Sequence, residues 1–434
     1  MSLLPPPGFQ PEQHAGFYEL RRCRPMLAHR IRHVPTQVIA VLAVVAWVVS
    51  GAYMLHYGPS WHLDLRVYRD AGHALLHGGS PFTADFTVHQ LPFTYTPFAL
   101  LALTPLAFGS LGLVETVWWL LSGVCFVGAV YLVMTTSFAL PARRSLAVAA
   151  LLCGVATLAL EPVRSNMDYA QINLILMVMI VADMTRVRAP WRGVLTGLAS
   201  AIKLTPLVFF FAFVVTRDWR SVARGAGIFV GVTAVSWAVL PHDSARYWFH
   251  QVTDAGRTGQ LGNVSNQSWN GLLHRPPFNG GHAGTAAWLV LALATLAGGV
   301  VLSRWLLAAS RTGEAVVVLA LTELLVSPVS WTHHWSWLAL APVAAVTLWA
   351  VHRVVAIMML ILLGLAVIAP YWWIQHGPLS YLAGNALVLA GAAVLAVWLG
   401  AEARSRRTAD APGMSGRGTL AAPEPLAGRP LPGR

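Results

Sequence analysis

Long apolar stretches alternate with short polar loops along most of the chain. A membrane-spanning helix needs roughly 20 apolar residues. Stretches approaching that length lie at 36–55, 112–136, 145–160, 171–185, 224–241, 285–306, 313–327, 334–351, 353–371 and 381–401. The stretch 192–216 is interrupted by the sequence KLTP, so it predicts a hairpin of two short helices. Together these elements predict an all-α, polytopic membrane protein with about 12 transmembrane helices.

Composition supports this class. Hydrophobic residues make up 56% of the 434 residues and charged residues only 11%, with a mean hydropathy of +0.60. These values lie outside the range of soluble domains. The net charge of +12 could indicate a nucleic-acid partner, but arginines in membrane-protein loops usually set orientation. We therefore expect a membrane environment and no nucleic acid.

The basic residues predict the orientation. In the 12-helix topology, 22 Lys and Arg residues fall on the face of the two termini and 7 on the other, together the 29 of the chain. The positive-inside rule then places both termini in the cytoplasm and the other face outside the plasma membrane, toward the periplasm. The apolar stretch 93–109 would invert all later loops if it crossed. It is therefore predicted to be interfacial or re-entrant.

The same pattern divides the chain into segments. Residues 1–35 form a basic cytoplasmic segment and residues 36–401 a transmembrane domain, with outer loops at 56–111 and 242–283. Residues 402–434 are rich in Pro, Gly and Arg and predict a disordered cytoplasmic tail.

Unusual polar residues concentrate on the predicted outer face. Asp64 lies in WHLDLRVYRDAGHALLHGG (61–79), where it could be a helix N-cap, a functional carboxylate or both. Lys203, the only lysine, interrupts an apolar hairpin. It could snorkel to the surface, but ionisable residues within membrane segments usually have a function.

Amide and aromatic side chains on this face suit a sugar ligand. Amides offer several hydrogen bonds to hydroxyl groups, and indole rings can stack on sugar faces. The candidates are Asn166, Gln171, Asn173, Asn266, Gln267, Trp269, Trp331 and Trp372. His333 and His334 are adjacent, so on a helix they diverge by about 100°, and no partner stands at ligand spacing. No metal and no cofactor are expected.

These motifs amount to a family resemblance. DLRVYRDAGHALLHGGSPF, FTYTPFALLALTPL, QINLIL, GLASAIKLTP and SPVSWTHHWSW occur in the order and spacing of the polyprenyl-phosphate-mannose-dependent mannosyltransferases of glycosyltransferase family 87. The resemblance covers residues 36–400 and implies the GT-C membrane fold. It is strongest to the mycobacterial phosphatidylinositol mannoside α-1,2-mannosyltransferases. In GT-C enzymes an acidic residue of the first outer loop is the catalytic base, and the matching position here is Asp64.

The implied reaction assigns further roles. A β-linked donor that yields an α-glycoside requires inversion, with one base opposite the leaving group. Charge developing on the lipid phosphate calls for cations. Lys203, Arg164 and His334 are the candidates for the phosphate, while His333 is assigned to catalysis. Tyr68 and Tyr95 join the candidates for sugar or acceptor binding.

The resemblance thus implies mannose transfer from polyprenyl-phosphate-mannose to a phosphatidylinositol mannoside at the periplasmic membrane face. Two alternatives remain at this point. The acceptor could be a lipomannan or lipoarabinomannan polymer that receives α-1,2-mannose branches. The protein could instead be a lipid-linked sugar flippase or transporter, although its polar residues cluster on one face.

Overall fold

The computed structural model describes residues 34–57 and 62–410, and this part of the chain is mostly helical. Its only strands are two residues long, Asp85–Phe86 and Leu91–Pro92, and they pair antiparallel in the first outer loop. The predicted helical membrane class is confirmed. The predicted segment 1–35 lies almost entirely outside the described residues.

The described residues in the first half of the chain form both strands and eight helices. They are α1 (Thr36–Tyr57), α2 (Leu63–Leu76), β1 (Asp85–Phe86), β2 (Leu91–Pro92), α3 (Pro97–Leu103), α4 (Leu111–Ser137), α5 (Ala142–Ala159), α6 (Glu161–Asp168), α7 (Asn173–Thr185) and α8 (Val194–Ile202). The 3₁₀ turns Thr104–Ala107 and Thr205–Phe209 follow α3 and α8. Polar caps begin several helices: the hydroxyl of Ser110, for example, accepts from the Leu113 N–H at the start of α4.

The second half contains the remaining helices. They are α9 (Phe210–Val215), α10 (Trp219–Val239), α11 (Pro241–Arg246), α12 (Trp269–Leu273), α13 (Gly281–Ala308), α14 (Thr312–Val326), α15 (Ala341–Trp349), α16 (Arg353–Ile368), α17 (Ser380–Gly384) and α18 (Ala386–Asp410). A π-helical turn covers Tyr247–Gln251, and 3₁₀ turns cover Ala255–Thr258, Thr332–Leu340 and Pro370–Trp372.

Seven of the described helices are long and apolar enough to cross a membrane: α1, α4, α5, α10, α13, α16 and α18. Each overlaps a predicted span. The other predicted crossings correspond to shorter helices, including α14 and the hairpin of α8 and α9. The number of about 12 crossings therefore stays a prediction. The stretch 93–109 forms only α3 and one 3₁₀ turn, about 16 Å of helix, which is too short for a full span.

Contacts between helix ends sort them into two faces. On the first, Arg144 donates to the Val34 carbonyl at 2.8 Å, Arg186 donates to the last turn of α4, and Arg192 pairs with Asp218 at 3.7 Å. This is the arginine-rich face. On the opposite face, α2 meets the start of α4. The described helix ends therefore support the predicted division of the loops into a basic face and a motif-rich face.

The chain returns to the motif-rich face after the first outer loop. Arg66 of α2 pairs with Glu115 at the start of α4 at 3.1 Å, although α2 and α4 are separated by the whole loop. The stretch 93–109 thus begins and ends on the same face, as expected for a segment that does not cross.

A buried ion cluster corrects the predicted boundary of the tail. Residues 402–410 are not part of a loose tail but continue α18 to Asp410. The carboxylate of Glu402 accepts from Arg311 Nη1 at 3.0 Å and lies 2.9 Å from His352 Nε2. Further along the same helix, the guanidinium group of Arg406 lies over the Trp305 ring. These contacts hold the last turns of α18 against its neighbours, and residues 411–434 lie outside the described part of the chain.

Small residues bring the hairpin close to its neighbour. Gly193 and Gly197 of the sequence GVLTG face α10, and a Cβ at Gly197 would lie 2.3 Å from the Gly225 carbonyl oxygen. Such spacing of small residues allows helix backbones to approach closely in membranes. The end of α8, where Lys203 lies, is thereby fixed in position.

The two faces predict opposite labelling in cells. After the native cysteines are replaced, Val88→Cys on the motif-rich face should react with a membrane-impermeant maleimide in intact cells. Arg188→Cys on the basic face should react only after permeabilisation. Both positions are exposed, so accessibility to the reagent, not burial, decides the result. Labelling of both from outside would contradict the division.

Candidate active site

The start of α2 is attached to a sharp bend between α6 and α7. The two helices meet at 115°. The N–H groups of His62 and Asp64 donate to the carbonyl oxygens of Asp168 and Tyr169 at 2.9 and 3.1 Å. Helix N-termini leave such donors unpaired, and the bend supplies their acceptors. The N-cap position is His62, so the interpretation of Asp64 as an N-cap is wrong.

The Asp64 carboxylate is oriented by one amide. Gln171 Nε2 donates to Asp64 Oδ2. Gln171 Oε1 accepts from Tyr95 at 2.7 Å and from Tyr68 at 3.2 Å, and the two hydroxyls are 2.8 Å apart. Because both tyrosines donate to the oxygen, the NH₂ group must face Asp64. Gln171 thus orients the carboxylate, with Tyr68 and Tyr95 holding its amide oxygen, and sugar binding by these three residues stays a prediction.

The same surroundings set the protonation of Asp64. Burial raises its pKa to about 6, while the hydrogen bond from Gln171 and the charge of Lys203 limit the rise. Oδ1 has no hydrogen-bond partner among residues 34–57 and 62–410. A carboxylate with a pKa in this range and one oxygen available can accept a proton near neutral pH.

Lys203 forms the second centre of the site. Its backbone is extended and ends α8. The ammonium group donates to Asn173 Oδ1 at 2.8 Å, contacts His334 Nε2 at 3.0 Å and lies 5.6 Å from the centre of the Tyr95 ring. It is also within electrostatic reach of two carboxyl groups, those of Asp64 and Glu323. The predicted functional role of Lys203 therefore has a geometric basis.

Two asparagines connect these centres. Asn173 Nδ2 donates to Asn166 Oδ1 at 3.0 Å and to the His333 carbonyl at 3.4 Å. Asn166 Nδ2 lies 3.5 Å from the Gln171 carbonyl oxygen. Both asparagines are buried. The amides of the segment 161–173 thus contact both Asp64 and Lys203, and sugar binding by Asn166, Gln171 and Asn173 stays a prediction.

The two histidines have different environments. His334 Nε2 lies 3.0 Å from the Lys203 ammonium, which can only donate, so Nε2 is the acceptor. The His333 ring packs edge-on against His334 and at a tilt against Tyr169, at centroid distances of 4.7 and 5.4 Å. Its Nε2 is buried with no partner within the described chain. His334 therefore belongs to the Lys203 centre directly, while His333 borders it.

Sequence reasoning missed a third cluster, centred on Glu161. Its carboxylate accepts from Tyr371 at 2.6 Å, from the Trp372 indole at 3.1 Å and from Thr332 at 3.1 Å. Arg164, predicted to bind phosphate, lies with Glu161 and donates to the Leu158 carbonyl. In the sequence, the signal for this cluster was the acidic residue at the start of α6. The cluster places the half-exposed Trp372 at the rim of the site.

The outer-loop amides bond to backbone groups of the protein, and their binding of sugar stays a prediction. Asn266 donates to the Leu261 carbonyl and accepts from Ser330 N–H at 2.9 Å. Gln267 bonds the Val264 and Gly384 carbonyls and accepts from the backbone at the start of α18. Both are fully buried.

The aromatic residues of this loop are also engaged. The indole of Trp269 donates to Thr295 at 2.9 Å. Trp331 forms a β-bridge with Asn266 and covers Gly259. The loop therefore supports the turn that carries the histidine pair. Of the predicted sugar ligands, Trp372 is the one whose side chain is substantially exposed at the rim.

A polytopic helical fold with a carboxylate and a cation close together at one face fits a membrane glycosyltransferase. The profile of glycosyltransferase family 87 matches residues 93–328. The chain belongs to this family.

Its relatives include two from Mycolicibacterium smegmatis and one from Mycobacterium tuberculosis. A polyprenol-phosphate-mannose-dependent α-(1-2)-phosphatidylinositol pentamannoside mannosyltransferase of M. smegmatis is 32% identical over 84% of this chain and 78% of its own. The phosphatidylinositol mannoside mannosyltransferase of the same organism is 36% identical over 74% and 76%. That of M. tuberculosis is 31% identical over 82% and 92%.

The structural role of Asn266 can be tested by stability. Asn266→Ala leaves a buried N–H and a buried carbonyl unpaired, so we expect about 2–4 kcal/mol of destabilisation and a lower melting temperature of the purified protein. Gln260→Ala, an exposed amide on the same loop, is the matched control. An unchanged melting temperature for Asn266→Ala would restore the interpretation as a ligand for sugar.

Proposed function

We propose that the protein is an inverting α-1,2-mannosyltransferase that uses polyprenyl-phosphate-mannose and a phosphatidylinositol mannoside acceptor. The names of the relatives support donor, linkage and acceptor class. The observation that carries the proposal is the juxtaposition of the oriented Asp64 carboxylate with the Lys203 ammonium. Base and phosphate-binding cation are the two groups that this reaction requires.

Asp64 acts as the general base. Its Oδ1 accepts the proton of the acceptor hydroxyl while that oxygen bonds to the anomeric carbon. The bond from this carbon to the phosphate oxygen breaks on the opposite face, which inverts the configuration. Because the displacement is single, no covalent sugar–enzyme bond forms. Gln171 keeps Oδ2 engaged and directs Oδ1 to the hydroxyl.

Lys203 stabilises the phosphate that leaves. The lipid phosphate gains negative charge as the glycosidic bond breaks, and an ammonium group in a partly dry site stabilises this charge strongly. His334 accepts from Lys203 and holds the ammonium in place. Arg164, placed beside Glu161, is better suited to the acceptor side.

The Glu161 cluster forms the acceptor rim. Trp372 is 43% exposed and its indole is fixed by Glu161. A fixed indole of this kind can pack on an inositol or mannose ring. The number of mannose units on the acceptor distinguishes the two acceptors in the relatives' names from a longer polymer, and mass spectrometry of the glycolipid products identifies it.

The active site faces the periplasm in this proposal, with both termini in the cytoplasm of a plasma-membrane protein. The arginine-rich face, which bears most of the basic residues, supports this orientation. Both substrates are lipids, which accounts for a site at headgroup depth. A flippase would need polar groups at several membrane depths, whereas Asp64, Lys203 and Glu161 share one face.

Asp64→Asn tests the base. The amide keeps the shape of the side chain but cannot accept the proton, so transfer from polyprenyl-phosphate-mannose should fall by roughly 10² or more with normal insertion. Asp70→Asn on the same helix is the control and should retain most activity. Near-normal transfer by Asp64→Asn would exclude Asp64 as the base and direct the search to Glu161, Asp168 and Glu323.

The pKa of Asp64 predicts the pH profile. The base works only when ionised, so kcat/KM should fall about tenfold per pH unit below about 6. Gln171→Met removes a hydrogen bond that favours the ionised form, which raises the pKa and moves the acid limb upward by about one unit. Asp70→Asn should leave the limb in place. A limb that Gln171→Met does not move would assign the titration to another group.

A further inference from the structure

A long groove runs along α1. Its volume is about 1250 Å³, and α1, α4 and α5 line it. The groove extends from Thr36 to Leu55, about 28 Å of helix, which is close to the full hydrocarbon thickness of a bilayer. A groove of this length on a membrane-facing surface is filled by lipid chains, because no water is available there.

The lining of the groove is polarised along its length. Its middle is apolar, formed by residues such as Ala43, Val44 and Trp47. Its polar lining residues gather at one end, where Thr36 and Gln37 start α1 and two arginines start α5.

The arginine pair, Arg143 and Arg144, lies on the basic face of the protein. Arg143 is exposed, and Arg144 reaches across to the Val34 carbonyl, which places its guanidinium beside the start of α1. The two positive charges therefore lie at headgroup depth, at the end of the apolar part of the groove.

We infer that this groove binds one anionic phospholipid, with its phosphate at Arg143 and Arg144 and an acyl chain along α1. The charge complementarity selects an anionic lipid over a neutral one. Basic pockets between transmembrane helices on the cytoplasmic side are established places for anionic headgroups. The arginine end of the groove lies on the basic face, opposite the Asp64 site, so the inference does not depend on the transfer reaction.

The large lipid-facing surface of α1 suggests what the lipid does. Only 22% of the α1 span is buried against protein, compared with 44% for α4 and α5. Its main attachment is to α5, where Ser50 donates to the Gly154 carbonyl at 3.0 Å. A lipid bridging α1 and α5 at their basic ends would stabilise the helix that leads into the site.

Native mass spectrometry of the full-length protein in neutral detergent tests the inference. Phosphatidylglycerol and phosphatidylcholine with identical chains are added in parallel, and we expect retention of one phosphatidylglycerol. Arg143→Gln/Arg144→Gln should weaken it about thirtyfold, since each arginine near an anionic headgroup contributes roughly a factor of five. Arg188→Gln/Arg220→Gln removes two exposed arginines of the same face outside the groove and should retain the lipid.

A second pair of variants tests the apolar part of the groove. Ala40→Trp fills the groove, while Val41→Trp adds the same ring to an exposed position of α1 outside it. Only the first should lose the lipid. Equal retention of both phospholipids, or equal loss with either arginine pair, would overturn the inference. So would a raised KM for the prenyl donor in Ala40→Trp together with unchanged phosphatidylglycerol binding, which would assign the groove to the substrate chain.

Discussion

The carboxylate of Asp64 and the ammonium of Lys203 can stand together in a largely apolar bundle only because internal amides bond both of them. Burying a charged group without partners costs far more free energy than a typical hydrogen bond contributes. The bend between α6 and α7 provides those partners within one short segment, through Gln171 toward Asp64 and Asn173 toward Lys203. The remaining helices serve to keep this segment, α2 and the end of α8 in contact.

Breaks in helices are what make this arrangement possible. A continuous helix satisfies its own backbone, which is the usual requirement in a membrane. The bend at 169–172 and the extended backbone at Lys203 release backbone and side-chain groups where the site needs them. The carbonyl oxygens of Asp168 and Tyr169 at the bend accept hydrogen bonds from backbone N–H groups at the N-terminus of α2. The backbone hydrogen-bonding groups at this bend therefore bond to other protein groups and are not exposed to lipid.

The sequence predicted the long helices and the two charged centres, because hydropathy and isolated ionisable residues are visible without a structure. It could not distinguish an amide that binds sugar from one that orients a neighbour. Gln171, Asn166 and Asn266 are polar, and which partner each meets depends on contacts more than 60 residues away in sequence or on a local bend. The end of α18 was also missed, because the buried partners of Glu402, Arg311 and His352, lie just before two other helices.

The attachment of Trp372 to Glu161 has an evolutionary consequence. In the proposed reaction, Asp64 and Lys203 are held by the interior of 161–173, whereas the indole of Trp372 comes from a separate loop and meets that segment at its first residue. Under that proposal, substitutions in the rim loop would change the surface offered to the acceptor while Asp64 and Lys203 keep their positions. The choice of acceptor and the chemistry of transfer would then be able to change independently of each other.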